Sequence, residues 1–200
     1  MGKVCFSVFI FLVMMNHFTV AESFRINLVS VGKINQEILS YLKDALSSYF
    51  DITKVGVIKK IEVPGDCFNS ERGQFLGECI LKYLPSFRHS KTLGLIDRDL
   101  YSEGLNFIFG VATLSKAVVA LPRLKNEFYG LEPNKDLFYL RILKEANHEL
   151  GHCFGLSHCS NSRCVMYFSN SLRDTDKKPT EFCKTCRKKL KKITESKCVW

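Results

Sequence analysis

His148-Glu149-Leu150-Gly151-His152-Cys153-Phe154-Gly155-Leu156-Ser157-His158 decides how the rest of this chain is read; the pattern is HExxHxxGxxH. On an α-helix, residues four apart stand one turn above each other, so His148 and His152 project from one face. Glu149 flanks that face. Gly155 tolerates the left-handed backbone that ends a helix, so the chain can turn back and bring His158 to the first two histidines. Three neutral imidazoles around one ion, with a position left open, make a catalytic zinc rather than a closed structural one. HExxH alone is short enough to arise by chance. The glycine and the third histidine at their spacings argue against chance, and three of the five histidines fall in this stretch.

The residues leading into the motif agree with a helix. Tyr139, Leu143, Ala146, Leu150, Cys153 and Phe154 share one side at helical period, opposite Arg141, His148 and His152. One face is patterned to pack and the other to line a cleft. Pro133 and Asn134 introduce this helix.

Upstream, Ile26, Leu28, Val29 and Val31 read as a buried strand, and Ile38, Leu39, Leu42, Leu46 and Phe50 recur at helical spacing. Val55 to Val63 reads as a second strand ending at Pro64-Gly65. Ser70 to Leu84 reads as a helix that stops before Pro85, and Leu93 to Ile96 as a third strand. Phe107 to Ala112 and Ala117 to Leu121 are joined by so short a link that they must pair antiparallel. Strands separated by helices imply a mostly parallel sheet with helices packed on it. The fold class expected is therefore α/β (α+β), with one antiparallel strand at the edge of a mixed, mostly parallel sheet.

Cys159, Cys164, Cys183 and Cys186 form two close pairs, C-x4-C and C-x2-C, the spacing of a structural zinc site. Two disulfides are the alternative if the chain is exported. Of the remaining cysteines, Cys5, Cys67, Cys79, Cys153 and Cys198, Cys153 lies on the packing face of the helix and reads as core.

Charge is unevenly spread. Between Lys177 and Lys197 nine basic residues meet only Glu181 and Glu195, so +7 of the chain's +9 sits in this segment. Such a run can meet nucleic acid or acidic partners, but is more often a solvated helix face. At the other end, Lys3, the apolar run Val4 to Met15 and Thr19-Val20-Ala21 have the form of a signal peptide cleaved after Ala21; an extension upstream of a start at Met14 or Met15 is the other reading. The run is too short for a stable membrane span. Two hundred residues suit one domain of ordinary size, expected over 24–200, with 159–186 as the cysteine subsite and 187–200 as a basic tail.

HELGHCFGLSHC, then Cys164-Val165-Met166, then Phe182-Cys183-Lys184-Thr185-Cys186 resembles the archaemetzincin family of metzincin-type zinc metallopeptidases. The likeness extends from about Arg25 to Cys186 and includes Asp99-Leu100-Tyr101 and Asn106 to Gly110. It implies a compact metzincin-like domain, a monomer binding two zinc ions. His148, His152 and His158 would hold the catalytic ion, and Cys159, Cys164, Cys183 and Cys186 the structural one. Glu149 would be the catalytic base and Met166 the methionine of the turn beneath the metal. The apolar N-terminus departs from the intracellular character of the family. Localisation is thus left open: cytoplasmic on the cysteine site, exported if residues 1–21 are a signal peptide.

The activity expected is hydrolysis of a peptide or protein by a zinc-bound water, with Glu149 taking its proton. No nucleic acid is expected. The rival reading is a non-catalytic, zinc-stabilised binding module whose tail around Arg187, Lys188 and Lys189 contacts nucleic acid or acidic partners. No RNA motif or helix-turn-helix string accompanies that tail, and an intact Glu149 favours the enzyme.

Overall fold

Strand β1 (Arg25–Val31) is an interior strand of the main sheet, and six of its seven residues are buried. A computed structural model describes residues 24–50 and 54–196 of the chain. Strand β2 (Lys54–Ile61) and helix α1 (Gln36–Leu46) lie on either side of residues 51–53. The hairpin β3 (Phe68–Asn69) and β4 (Gln74–Leu76) leads into helix α2 (Gly77–Tyr83). Strand β5 (Ser90–Ile96) and the short β6 (Leu100–Tyr101) come next. Strands β7 (Gly110–Ala112) and β8 (Lys116–Ala120) follow. Helices α3 (Lys135–Cys153), α4 (Leu172–Lys177) and α5 (Lys184–Ser196) complete the described chain.

The main sheet has the order β2-β1-β5-β8-β7. The first four strands are parallel and β7 alone runs antiparallel, at the edge. This is the sheet expected from the sequence. Parallel strands bury both faces because their crossovers lay helices on each side. Here Leu28, Leu93, Leu95 and Val119 face α1 and α3, while Val29, Val31, Ile96 and Val118 face α2.

Two expectations fail in detail. Ser70 to Leu84 is not one helix. The Asn69 side chain accepts from the backbone N–H groups of Glu71 and Arg72, and Gly73 takes φ +65°, so the chain turns as a hairpin before α2 begins at Gly77. Turn chemistry outranks the helical reading of this segment here. Helix α1 ends at Leu46 rather than reaching Phe50, with the hydroxyls of Ser47 and Ser48 bonded back to the carbonyls of Lys43 and Ala45. Phe50 still joins the core, stacked on Phe154 with ring centroids 5.4 Å apart.

The sulfurs of Cys67 and Cys79 are bonded, tying the β3–β4 hairpin to α2. The readings of residues 1–23 and of the tail beyond Ser196 lie outside the described residues. No described helix is long and apolar enough to cross a membrane.

Candidate active site

Helix α3 starts where the Asn134 side chain accepts from the Leu137 N–H. It stops at a left-handed turn. Gly155 has φ +84°, its N–H bonds to the His152 carbonyl, and the Leu156 N–H bonds back to Gly151, the double bond that closes a helix C-terminus. The same turn orients a ligand, because His152 Nδ1 lies 2.7 Å from the carbonyl oxygen of Leu156. His148 Nδ1 lies 2.8 Å from the carbonyl oxygen of Val165. A carbonyl only accepts, so each Nδ1 carries the proton and each Nε2 keeps a lone pair.

The two Nε2 atoms stand 3.1 Å apart. Two lone pairs at that distance repel unless something positive lies between them. His158 completes the group, and one ring nitrogen from each histidine falls within 4.8 Å of the others. Its ring also packs against Phe168 at 4.8 Å. Burial holds all three imidazoles below the usual histidine range, with the Lys178 ammonium adding to the effect. Neutral imidazole is the form that binds metal. This donor set fits a divalent cation.

Glu149 lies on the flank of the same helix, 5% exposed. Burial, then the charge of Glu145, pushes its carboxyl up to about 8 against the pull of Lys178. Across from it is the edge strand: a Cβ on Gly110 would fall 2.6 Å from Glu149 Cγ, so only glycine lets the strand come this close. Glu149 and His148 line a recess of about 230 Å³ with Leu105 to Gly110, Glu145, Phe168 to Asn170 and Lys178.

Met166 is fully buried beneath α3, and a Cβ on Gly151 would collide with its sulfur. Gly151 is thus a packing requirement within the motif that spacing alone did not single out. Arg141, expected to face the cleft, is instead 3% exposed and bonded through two nitrogens to Asp176. Its fork matches a carboxylate, so it pins α4 to α3.

The second cluster begins one residue after His158. The sulfurs of Cys159, Cys164, Cys183 and Cys186 lie within 4.8 Å of one another. A tetrahedral zinc with arms of about 2.3 Å needs edges of about 3.8 Å, and Cys159 and Cys183 stand 3.9 Å apart. Burial raises the Cys183 thiol, but hydrogen bonds from the Cys186 backbone and from Cys164 outweigh it and leave the thiol at about 7. Cys153 is fully buried in the core and its thiol is pushed up to about 12 by burial and by Glu149. It is packing, as the sequence implied.

Comparison with known proteins decides the family. The model of peptidase family M54 matches residues 26–192. The chain belongs to that family, the archaemetzincins. It is 47% identical over 168 residues to the archaemetzincin of Methanocaldococcus jannaschii, covering 83% of this chain and 92% of that one. Against the archaemetzincin of Saccharolobus solfataricus the identity is 39% over 174 residues, covering 86% and 95%. Two crystal structures of archaemetzincins resemble it closely. That from Methanopyrus kandleri has 36% identity and a TM-score of 0.77, over 86% of this chain and 96% of that one. That from Archaeoglobus fulgidus, complexed with malonate, has 38% identity and a TM-score of 0.73, over 82% and 99%. As an archaemetzincin the chain is a zinc metallopeptidase, and its substrate is a peptide or protein.

Proposed function

We propose that His148, His152 and His158 hold the catalytic zinc, that Cys159, Cys164, Cys183 and Cys186 hold a second, structural zinc, and that Glu149 is the general base of peptide-bond hydrolysis. The observation that carries this reading is the pair of facing Nε2 atoms 3.1 Å apart, each imidazole fixed through its other nitrogen to a carbonyl. When bound, the zinc supplies Lewis acidity and a water of lowered pKa, near 7 in such sites.

The chain's own residues do the rest. Glu149 accepts a proton from the attacking water and passes it to the nitrogen of the leaving amine. Its carboxyl, held at about 8 by burial when no ion is near, ionises more readily beside a divalent charge. Gly155 and the carbonyls of Leu156 and Val165 keep the imidazoles oriented, as outer partners of metal-bound histidines do. Met166 supports the site from below. Strand β7 pairs with β8 on one side only and passes beside Glu149. An extended substrate can add to it as a further strand through main-chain hydrogen bonds.

Replacing Glu149 tests the role directly. Glu149→Gln keeps zinc at the level of the parent, measured by metal analysis, and lowers the cleavage rate by about 100-fold or more. Turnover surviving in that variant would rule Glu149 out as the base. The basic face of α5 has no part in this reading.

A further inference from the structure

Residues 105–109 form one wall of the recess that holds His148 and Glu149, and they run directly into β7. The wall has little regular structure of its own. The Ile108 N–H bonds to the Leu100 carbonyl at 3.0 Å, and the Phe109 carbonyl accepts from the Ala120 N–H at 2.8 Å. The carbonyls of Leu105 and Asn106 are met instead by side chains of the β3–β4 hairpin. Arg72 Nη2 donates to both, at 3.0 and 2.9 Å, and Gln74 Nε2 donates to the Asn106 carbonyl at 3.1 Å.

These donors belong to one continuous network. The hairpin turn aims Arg72, because the Asn69 side chain accepts from its backbone N–H, and its guanidinium lies over the Tyr101 ring at 4.3 Å. Arg72 Nε donates to Gln74 Oε1 at 3.0 Å. Gln74 is buried and donates to Asp99 Oδ2 at 2.9 Å. Asp99 also takes the fork of Arg123, from Nε at 2.6 Å and from Nη2 at 2.8 Å. The Arg123 guanidinium then lies 4.3 Å from the centre of the Phe107 ring, which lines the recess and meets Phe109 edge-on. The wall is thus held by its carbonyls on one side and by an aromatic face on the other. Bidentate pairing fixes geometry as well as energy, and a satisfied network is rigid.

We propose that Arg72, Gln74, Asp99 and Arg123 are positioning residues for the hydrolysis: together they hold the wall at residues 105–109, and with it the start of β7, where an extended substrate needs it. The inference rests on the peptidase reading above and adds to it four residues outside the metal site. Each acts through the wall, since none lines the recess itself. The physical gain is preorganisation, because a wall ordered before binding spares the substrate the ordering cost. A wall in its binding conformation only about one-tenth of the time would weaken the apparent affinity about 10-fold. Bond cleavage stays with Glu149 and the metal, so loss of the network acts on KM rather than on kcat. Asp99 is the hub, because Gln74 and Arg123 both bond to its carboxylate.

The test compares the zinc-loaded parent with Arg72→Met, which keeps the stem and removes the donors, with Asp99→Asn, of equal size, and with Arg72→Lys. Amide hydrogen exchange needs no substrate. The amides of Ile108 and Ala120, whose bonds tie the wall to its neighbours, should exchange about 10-fold faster in Arg72→Met and Asp99→Asn, while that of Leu156 beside the histidines keeps the parent's rate. The substrate probe is the acetylated, amidated decapeptide that the parent cleaves fastest from a mixed-sequence library. Its KM should rise about 10-fold in both variants with kcat within about twofold of the parent, and Arg72→Lys, which retains a cationic donor, should recover part of the loss. Rates are taken per zinc-bound molecule, and thermal unfolding establishes that each variant is folded. If the parent binds zinc and cleaves no peptide, the peptidase reading falls and the exchange rates alone decide the role of the network. Parent-like exchange at Ile108 and Ala120 in both variants, faster exchange with KM at the parent's value, or a loss confined to kcat would overturn the inference.

Discussion

At the scale of single residues, the site is a set of groups held in the protonation state that metal binding needs. Glu149 and the histidines pull stability in opposite directions with pH. In protein freed of the histidine-held metal, Glu149 has a carboxyl raised from 4.5 to about 8 by burial. Its contribution to stability is complete below about 4.5 and is lost as pH rises through about 8, because the unfolded chain has already released that proton. The imidazoles of His148 and His152, held below 6.5, contribute above 6.5 and lose that contribution as pH falls. Between pH 6.5 and 8 Glu149 loses stability as pH rises, while the Cys183 thiol, lowered to about 7, gains it in the upper part of that window when the cysteines hold no metal. The Glu149 part is therefore read as a difference: the urea-unfolding free energy of metal-freed wild type relative to Glu149→Gln should fall by on the order of 1–2 kcal/mol across that interval. The histidines and Glu149 were legible in the sequence because one helix and one glycine turn fix their relation locally. Lys178 was not, since nothing in its neighbourhood of Lys177, Pro179 and Thr180 distinguishes a buried lysine from a solvated one.

At the scale of elements, the two clusters share a frame. His158 and Cys159 are adjacent, the Cys159 N–H bonds to the Met166 carbonyl at 2.9 Å, and Cys164 precedes the Val165 whose carbonyl orients His148. Loosening the cysteine cluster therefore frees both the third histidine and the support of the first. Cys183→Ser should weaken the histidine-held metal by about 10–100-fold as well as the other, as loss of an orienting partner does. Competition titration with a chelator measures both affinities. One zinc at full affinity with normal activity would contradict the coupling. The same scale shows where pattern reading falls short. The strands of the main sheet are short, largely apolar stretches between turn residues, and each was visible. The segment from Ser70 to Leu84 carries apolar residues at helical spacing, yet the Asn69 turn and the left-handed Gly73 decide its first half.

At the scale of the whole molecule, one chain combines a disulfide with a cluster of four free thiols. The sequence left Cys67 and Cys79 unassigned, because their pairing depends on the hairpin that apolar spacing concealed. Their bond closes a loop with a sequence separation of 12. Cys67→Ala/Cys79→Ala should cost about 2–4 kcal/mol in denaturant unfolding while leaving zinc content as it was. A parent and a double variant of equal stability would show the bond to be dispensable. The larger claim is that the sheet and its helices exist here to bring three imidazoles to one ion beside Glu149. Anomalous scattering at the zinc edge, from crystals of zinc-loaded protein, tests this most directly. A peak is expected about 2.0–2.1 Å from one ring nitrogen each of His148, His152 and His158. A peak only among the four cysteines, with the imidazoles bare at saturating zinc, would contradict it.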